Sequence, residues 1–432
     1  MKKKLIWPGP KRRATSIVVF PLIAAIVLFA GPAAGFALGY RATPIDNRPL
    51  ADFPSLSDGW SFFPKFQAWA DDHLPYRSQA VKAGTNLSEG LFGEPARFSS
   101  GGVTVAGVGG SNTTTTTTEK PTDANGDGVK YPQVIAGKND WLYFGSDFEP
   151  ACKPEESMST IMQGFQTLSD AASQSGRKIV IVIAPDKSSA HPENLPSNYA
   201  GKACAAKQKA SFWAAAAKLK GIQLTDPKPA LAQLEKSTGR SVWRKYDTHW
   251  APEGAAAFAT LVASELEPSL LNSTTVVPGK QVQAEGDLTA LLGDPKSESV
   301  TSVAVDRPGV TLHSAGKDVA FNKTPDLGYS PITVTGTSTG AELYQPKTLL
   351  LGDSFFEASQ SEILPFFRSI SYVHNMSGDI PGANATLAVQ VKDTDTIVYE
   401  LVERAAVGGY VSYQHPKNFE ALASAMLKYP RN

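Results

Sequence analysis

Lys347-Thr348-Leu349-Leu350-Leu351-Gly352-Asp353-Ser354-Phe355-Phe356 is the stretch on which the reading of this chain turns. Leu349 to Leu351 is a continuous apolar run, the pattern of a strand buried on both faces. Gly352 lets the backbone turn tightly behind it, and a helical stretch follows. Such a turn presents Ser354 at the carboxyl edge of a sheet, where open α/β sheets place ligands. Ser354 is then either a helix N-cap or a nucleophile, with N–H groups at the helix start to stabilise an oxyanion. A serine hydroxyl needs an adjacent base at neutral pH, so the second reading requires a histidine elsewhere.

Working outward, Lys178 to Ala184 (Lys-Ile-Val-Ile-Val-Ile-Ala) reads as a second strand buried on both faces. Pro185-Asp186-Lys187 forms the loop at its carboxyl end. Asp395 to Val402 reads as a third strand, and Gly137 to Phe144 as a strand or hairpin. Apolar spacing predicts helices at about 156–175, 205–219, 227–236, 252–267 and 416–428. Strands alternating with helices imply an α/β domain with a mainly parallel, three-layer α/β/α sheet over residues 131–432. Residues 268–345 read as an irregular insertion carrying β-hairpins, with Gly286-Asp287-Leu288 leading into a short helix.

The histidine lies in Tyr246-Asp247-Thr248-His249-Trp250, just before Ala251-Pro252-Glu253-Gly254. Residues i and i+2 of an extended segment point the same way, so Asp247 and His249 can reach one site. A carboxylate beside a histidine can hold one tautomer and make it a general base. The alternative is an Asp that caps the following helix and a His that packs beside Trp250. The pair and Ser354 all sit at strand-to-helix transitions, which favours a Ser-His-Asp triad.

The N-terminus sets the compartment. Lys2, Lys3, Lys4, Lys11, Arg12 and Arg13 form a basic tail over 1–13, ahead of an uncharged run at 14–40. A spanning helix needs about 20 apolar residues, and the positive flank stays cytoplasmic. A transmembrane signal-anchor is expected, with a cleaved signal peptide as the alternative. Everything after Arg41 is then extracytoplasmic, where Cys152 and Cys204 can pair in a disulfide. Residues 41–98 read as a membrane-proximal helical segment, in which His73 has a structural role. The Thr-rich stretch at 99–130 reads as a low-complexity linker. Asp123 to Gly128 opens like a calcium loop, but Val134 stands where the bidentate Glu belongs. Lys+Arg and Asp+Glu both number 41, so no basic excess points to nucleic acid. No Cys/His cluster points to a metal, and no cofactor is expected.

Gly352-Asp353-Ser354-Phe355 resembles the nucleophile block of the SGNH (GDSL-like) hydrolase superfamily. Asp247-Thr248-His249-Trp250 is similar to its Asp-x-x-His block, shortened by one residue and placed ahead of the serine. That order resembles the alginate O-acetyltransferase family of the AlgX and AlgJ type, whose domain is a circularly permuted SGNH fold. Asn47-Arg48-Pro49-Leu50-Ala51, Asp72 to Arg77, Gly137 to Leu142 and Pro185-Asp186-Lys187 carry it further. The resemblance implies Ser354 as acetyl-accepting nucleophile, His249 as its base, Asp247 as the orienting group and Asp353 as a structural residue. It implies a polysaccharide acceptor and a multispanning membrane acyltransferase as acetyl donor; Trp243, Tyr246 and Trp250 are aromatics that either stack on sugar rings or pack in the core, and Lys187 is a further candidate for substrate contact. No Gly-x-Asn-Asp block supplies an oxyanion Asn; Asn375 is the stand-in. The family's carbohydrate-binding module is not evident after residue 405. A carbohydrate esterase with the same triad, or a non-catalytic polysaccharide assembly protein, are the rival readings.

Overall fold

The computed structural model describes residues 131–314, 317–319, 332–379 and 382–431, with a few positions between 34 and 73. The basic tail, nearly all of the expected span at 14–40, most of 41–98 and the linker at 99–130 lie outside the described residues. Among the described residues no helix is long and apolar enough to cross a membrane. His73, one of the few described positions there, bonds through Nδ1 to the Trp69 carbonyl at 2.9 Å.

The strands are β1 Val134–Ala136, β2 Leu142–Phe144, β3 Lys178–Ala184, β4 Leu224–Thr225, β5 Thr275–Glu285 and β6 Ser297–Asp306. They continue as β7 Val310–Ser314, β8 Lys317–Val319, β9 Ile332–Ser338, β10 Thr348–Gly352, β11 Ser369–His374 and β12 Thr396–Val402. Eight of them form one sheet in the order β4-β3-β12-β10-β11-β9-β7-β8. The first five are mutually parallel and the last three antiparallel. β10 and β12 are buried along their whole length and β3 along its last five residues. Strands this apolar require cover on both faces.

The longer helices supply that cover: α1 Met158–Gln174, α2 Lys202–Ala216, α3 Lys228–Thr238, α4 Pro252–Leu266, α5 Ala383–Lys392 and α6 Pro416–Lys428. In α1, Ile161, Phe165, Leu168 and Ala172 repeat at helical spacing and are all buried. Ser157 caps it by accepting from Thr160 N at 3.1 Å. α1 packs on α6 with Phe419 pressed against Gly164, where a Cβ would lie 2.2 Å from the ring. α1 and α4 both contact β3. Cys152 and Cys204 are joined in a disulfide, Cα–Cα 5.4 Å, between the short helix Glu149–Cys152 and α2.

Two parts differ from the sequence reading. β11 and α5 were not foreseen, since Ser369-Ile-Ser-Tyr-Val-His is short and polar at alternate positions. The insertion is not set apart from the core. β5 and β6 form a separate antiparallel ribbon, but β7, β8 and β9 extend the main sheet. β9 alternates buried and exposed residues because only one of its faces is covered.

Candidate active site

β3, β10, β11 and β12 run parallel, so their carboxyl ends open on one edge. Ser354 follows β10 there and begins the short helix Ser354–Glu357. Asp353 builds the turn beneath it. Its Oδ1 accepts from Phe355 N and its Oδ2 from Val402 N, each at 2.9 Å, while its own N donates to Glu400 Oε2 at 2.9 Å. Glu400 is wholly buried; burial first, then the nearby Asp353 charge, push its carboxyl well above the usual range. Ser354 itself is only half-buried.

Asp247 and His249 reach Ser354 from a loop closed at its base. Trp243 and Trp250 form an antiparallel bridge, and Ala251 N donates to Val242 O at 2.7 Å. Pro252 then starts α4. Asp247 Oδ1 accepts from both His249 N at 2.9 Å and His249 Nδ1 at 2.8 Å. The two-residue spacing thus ties the backbone and the ring of the histidine to one carboxylate oxygen. His249 Nε2 lies 2.8 Å from Ser354 Oγ, and the ring rests 4.9 Å from that of Phe355. Burial pushes the imidazole pKa down, but hydrogen bonding to Asp247 and its charge, with Asp287, more than offset this and hold it above the ordinary histidine value. Burial raises Asp247, but His249 and then Arg244 outweigh it and keep the carboxyl below its usual range.

Several residues that hold this loop gave no functional signal in the sequence. Arg244 Nη1 donates to Asp247 Oδ2 at 2.7 Å. Glu298 of β6 accepts from Lys245 N at 2.8 Å and Tyr246 N at 3.0 Å. Asp287 takes Thr248 N at 2.8 Å and the Thr248 hydroxyl at 2.5 Å. Arg404, just after β12, bonds Asp186 Oδ1 at 2.9 Å and lies over the Phe355 ring. Asp247, His249 and Asp287 bring ligand-type atoms within 4.8 Å of one another. Those atoms are already engaged in the loop's own hydrogen bonds and ion pairs.

Three expected contacts with substrate or oxyanion are not where the sequence put them. Lys187 is 1% exposed, and its Nζ donates to the carbonyls of Arg244 (2.9 Å), Lys245 (3.2 Å) and Asp247 (2.5 Å). It holds the loop from beneath instead of facing solvent. Burial pushes its pKa down to about 8 against the pull of Asp287 and Asp247. Trp250 is 2% exposed, stacks on Phe258 at 5.0 Å and donates Nε1–H to Ser359 Oγ at 2.8 Å. The loop's closed base turns that ring into the core. Asn375 is fully buried, with Nδ2 donating to Glu400 O at 3.3 Å. Tyr246 is half-buried at the loop's outer turn.

Residues 134–364 match the family described as SGNH hydrolase-like domain, acetyltransferase AlgX. A probable alginate O-acetylase AlgJ of Pseudomonas syringae pv. tomato is 31% identical over 169 residues, covering 37% of this chain and 41% of that protein. Another, of Pseudomonas fluorescens, is 26% identical over 229 residues, covering 49% of this chain and 54% of that protein. The chain thus spans about half the length of the curated relatives it matches. Among solved structures, the O-acetyltransferase domain of Pseudomonas putida AlgJ is similar at 19% identity and a TM-score of 0.45, over 68% of this chain and 99% of that one.

Proposed function

The chain belongs to the family of SGNH hydrolase-like domains of the acetyltransferase AlgX type, and from that premise we propose that it is an extracytoplasmic O-acetyltransferase acting on a cell-envelope or secreted polysaccharide. The observation that carries this reading is the unbroken line Asp247 Oδ1, His249 Nδ1, His249 Nε2 and Ser354 Oγ, with 2.8 Å at each hydrogen bond. Ser354 Oγ attacks the carbonyl carbon of an acetyl donor as His249 Nε2 takes its proton. The tetrahedral intermediate collapses, and His249 returns that proton to the departing group. A sugar hydroxyl then gives its proton to Nε2 and attacks acyl-Ser354. Ser354 Oγ leaves and recovers the proton, and the sugar carries the acetyl group.

Residues 131–432 form the acyltransferase domain in this reading. The linker at 99–130 and the helical segment at 41–98 join it to a membrane anchor at 14–40. The acetyl donor is a multispanning membrane acyltransferase. A cavity of about 480 Å³ beside the triad loop, lined by Trp141, Trp243, Lys245, Gln281 and Glu298, has the aromatic and polar mixture that suits a sugar ring.

The test gives the protein p-nitrophenyl acetate and candidate oligosaccharides and follows products by mass spectrometry. Acetylated sugar is expected, with a loss of about 10²- to 10⁴-fold in Ser354→Ala and His249→Ala. His249 must be neutral to act as base, and its raised pKa puts the acid limb of kcat/KM above about pH 6.5. Free acetate without acetylated sugar makes it an esterase. Undiminished turnover in both variants ends the catalytic reading.

A further inference from the structure

Two carboxylates face the Nδ1 side of His249. Asp247 Oδ1 lies 2.8 Å from Nδ1 and Asp287 Oδ2 lies 3.6 Å from it. Asp287 belongs to the insertion, 40 residues along the chain from Asp247, and its own N donates to Asp247 Oδ2 at 3.3 Å. It grips Thr248 with both oxygens: Oδ1 accepts from Thr248 N at 2.8 Å and Oδ2 from the Thr248 hydroxyl at 2.5 Å. Thr248 Oγ1 stands 3.1 Å from His249 Nδ1.

A threonine hydroxyl has one hydrogen, and an ionised carboxylate only accepts. The Thr248 hydrogen is therefore committed to Asp287. Towards His249 the same oxygen can only accept, so it stands as a second acceptor beside the Nδ1–H that Asp247 Oδ1 already takes at 2.8 Å. Nε2 is then bare and faces Ser354 Oγ as an acceptor. A Thr248 hydroxyl free to turn could instead aim its hydrogen at the ring N–H and disturb the bond that Nδ1 makes to Asp247.

We propose that Asp287, acting through the Thr248 hydroxyl, is a positioning residue that keeps a second acceptor turned to the Nδ1–H of His249 and stabilises the charge its ring gains when Ser354 gives up a proton. The inference rests on the catalytic reading of Ser354 and His249. The other charges acting on the ring are Asp247 on the loop and Arg404 after β12, while Arg244 pairs with Asp247 and Glu298, and Lys187 lies beneath the loop.

The experiment compares wild type, Asp287→Asn, Thr248→Val and Thr248→Ser in the full chain with p-nitrophenyl acetate. In Asp287→Asn the amide can donate to Thr248 and release its hydroxyl. A loss of roughly 10- to 100-fold in kcat/KM is expected, carried by kcat, below the full worth of a general base. The acid limb should move down by about half a pH unit or more, the effect of removing one charge about 4 Å from the ring. Thr248→Val should lose rate similarly, and Thr248→Ser should recover most of it. ¹H NMR should show the downfield Nδ1–H resonance of His249 in wild type and its upfield shift in Asp287→Asn, as the second acceptor turns away.

An acid limb and Nδ1–H resonance unchanged in Asp287→Asn overturn the inference, whether or not the variant is less stable. If Ser354→Ala and His249→Ala are inactive in the same assay, only this inference has failed. If they remain active, the catalytic reading itself has failed.

Discussion

Gly286→Ala tests whether the insertion shapes the catalytic loop. Gly286 is buried at the start of the short helix Asp287–Leu291, with an ordinary φ of −96°. Alanine is therefore tolerated by the backbone, and space alone is at issue. A Cβ at 286 would sit 2.1 Å from the Tyr246 carbonyl oxygen and 2.5 Å from its carbonyl carbon, both backbone atoms of the catalytic loop. Relief requires the two segments to part by about 1 Å, because real Cβ atoms do not approach within 3.0 Å. That separation breaks the Leu288 N to Tyr246 O bond of 3.1 Å and loosens the grip of Asp287 on Thr248. Overpacking of this kind costs about 1–3 kcal/mol. A displacement of about 1 Å in a catalytic group can lower a rate about 100-fold. Denaturant unfolding and kcat/KM for an acetyl ester check both figures. Wild-type stability with wild-type rate would refute the close approach. Reduced stability with wild-type rate would refute the claim that the approach matters to catalysis.

Lys187→Met keeps the buried stem but leaves the Arg244 and Asp247 carbonyls without their ammonium donor. The rate should fall at least tenfold, while stability at pH 7 changes little, because the penalty for burying the charge goes too. With a folded pKa of about 8 against 10.5, wild type binds fewer protons folded than unfolded between those values. Its stability relative to Lys187→Met should therefore rise by about 3 kcal/mol from pH 7 to pH 11; a flat difference refutes the buried cation. Trp250→Phe loses the bond to Ser359 and should cost about 1–3 kcal/mol of stability. KM for an oligosaccharide should hold; a raised KM at unchanged stability would restore Trp250 as a sugar platform.

What the sequence made legible is local. β3 and β10 announce themselves by apolar runs, and β12 by one interrupted inside only at the buried Glu400, because strands covered on both faces leave few polar positions. The Asp247–His249 pair was legible because its contact is local: one oxygen of Asp247 meets the backbone N and the Nδ1 of a residue two positions away. The supporting contacts were not legible because each joins segments far apart in the chain. Lys187 and Asp247 are 60 residues apart, Thr248 and Asp287 39, Arg404 and Asp186 218. Nothing in Gly286-Asp287-Leu288 alone separates a helix start from a clamp on a histidine.

The insertion misled for a physical reason. A ribbon with one strand almost wholly exposed, and strands covered on one face such as β7 and β9, need few or only alternating apolar positions, so 268–345 reads as irregular beside the runs of the central sheet. Yet Glu285, Asp287 and Glu298, the insertion residues that bond Arg244, Thr248, Lys245 and Tyr246, lie at the end of β5, just past it and at the start of β6. The closed end of the ribbon, where Glu285 pairs with Ser297 and Ala284 with Glu298, brings these residues to the loop between α3 and α4. A catalytic loop fixed only by its own closed base would leave Asp247 and Thr248 tied at one side. The insertion supplies the other, so the segment least regular in sequence helps to set the geometry of His249.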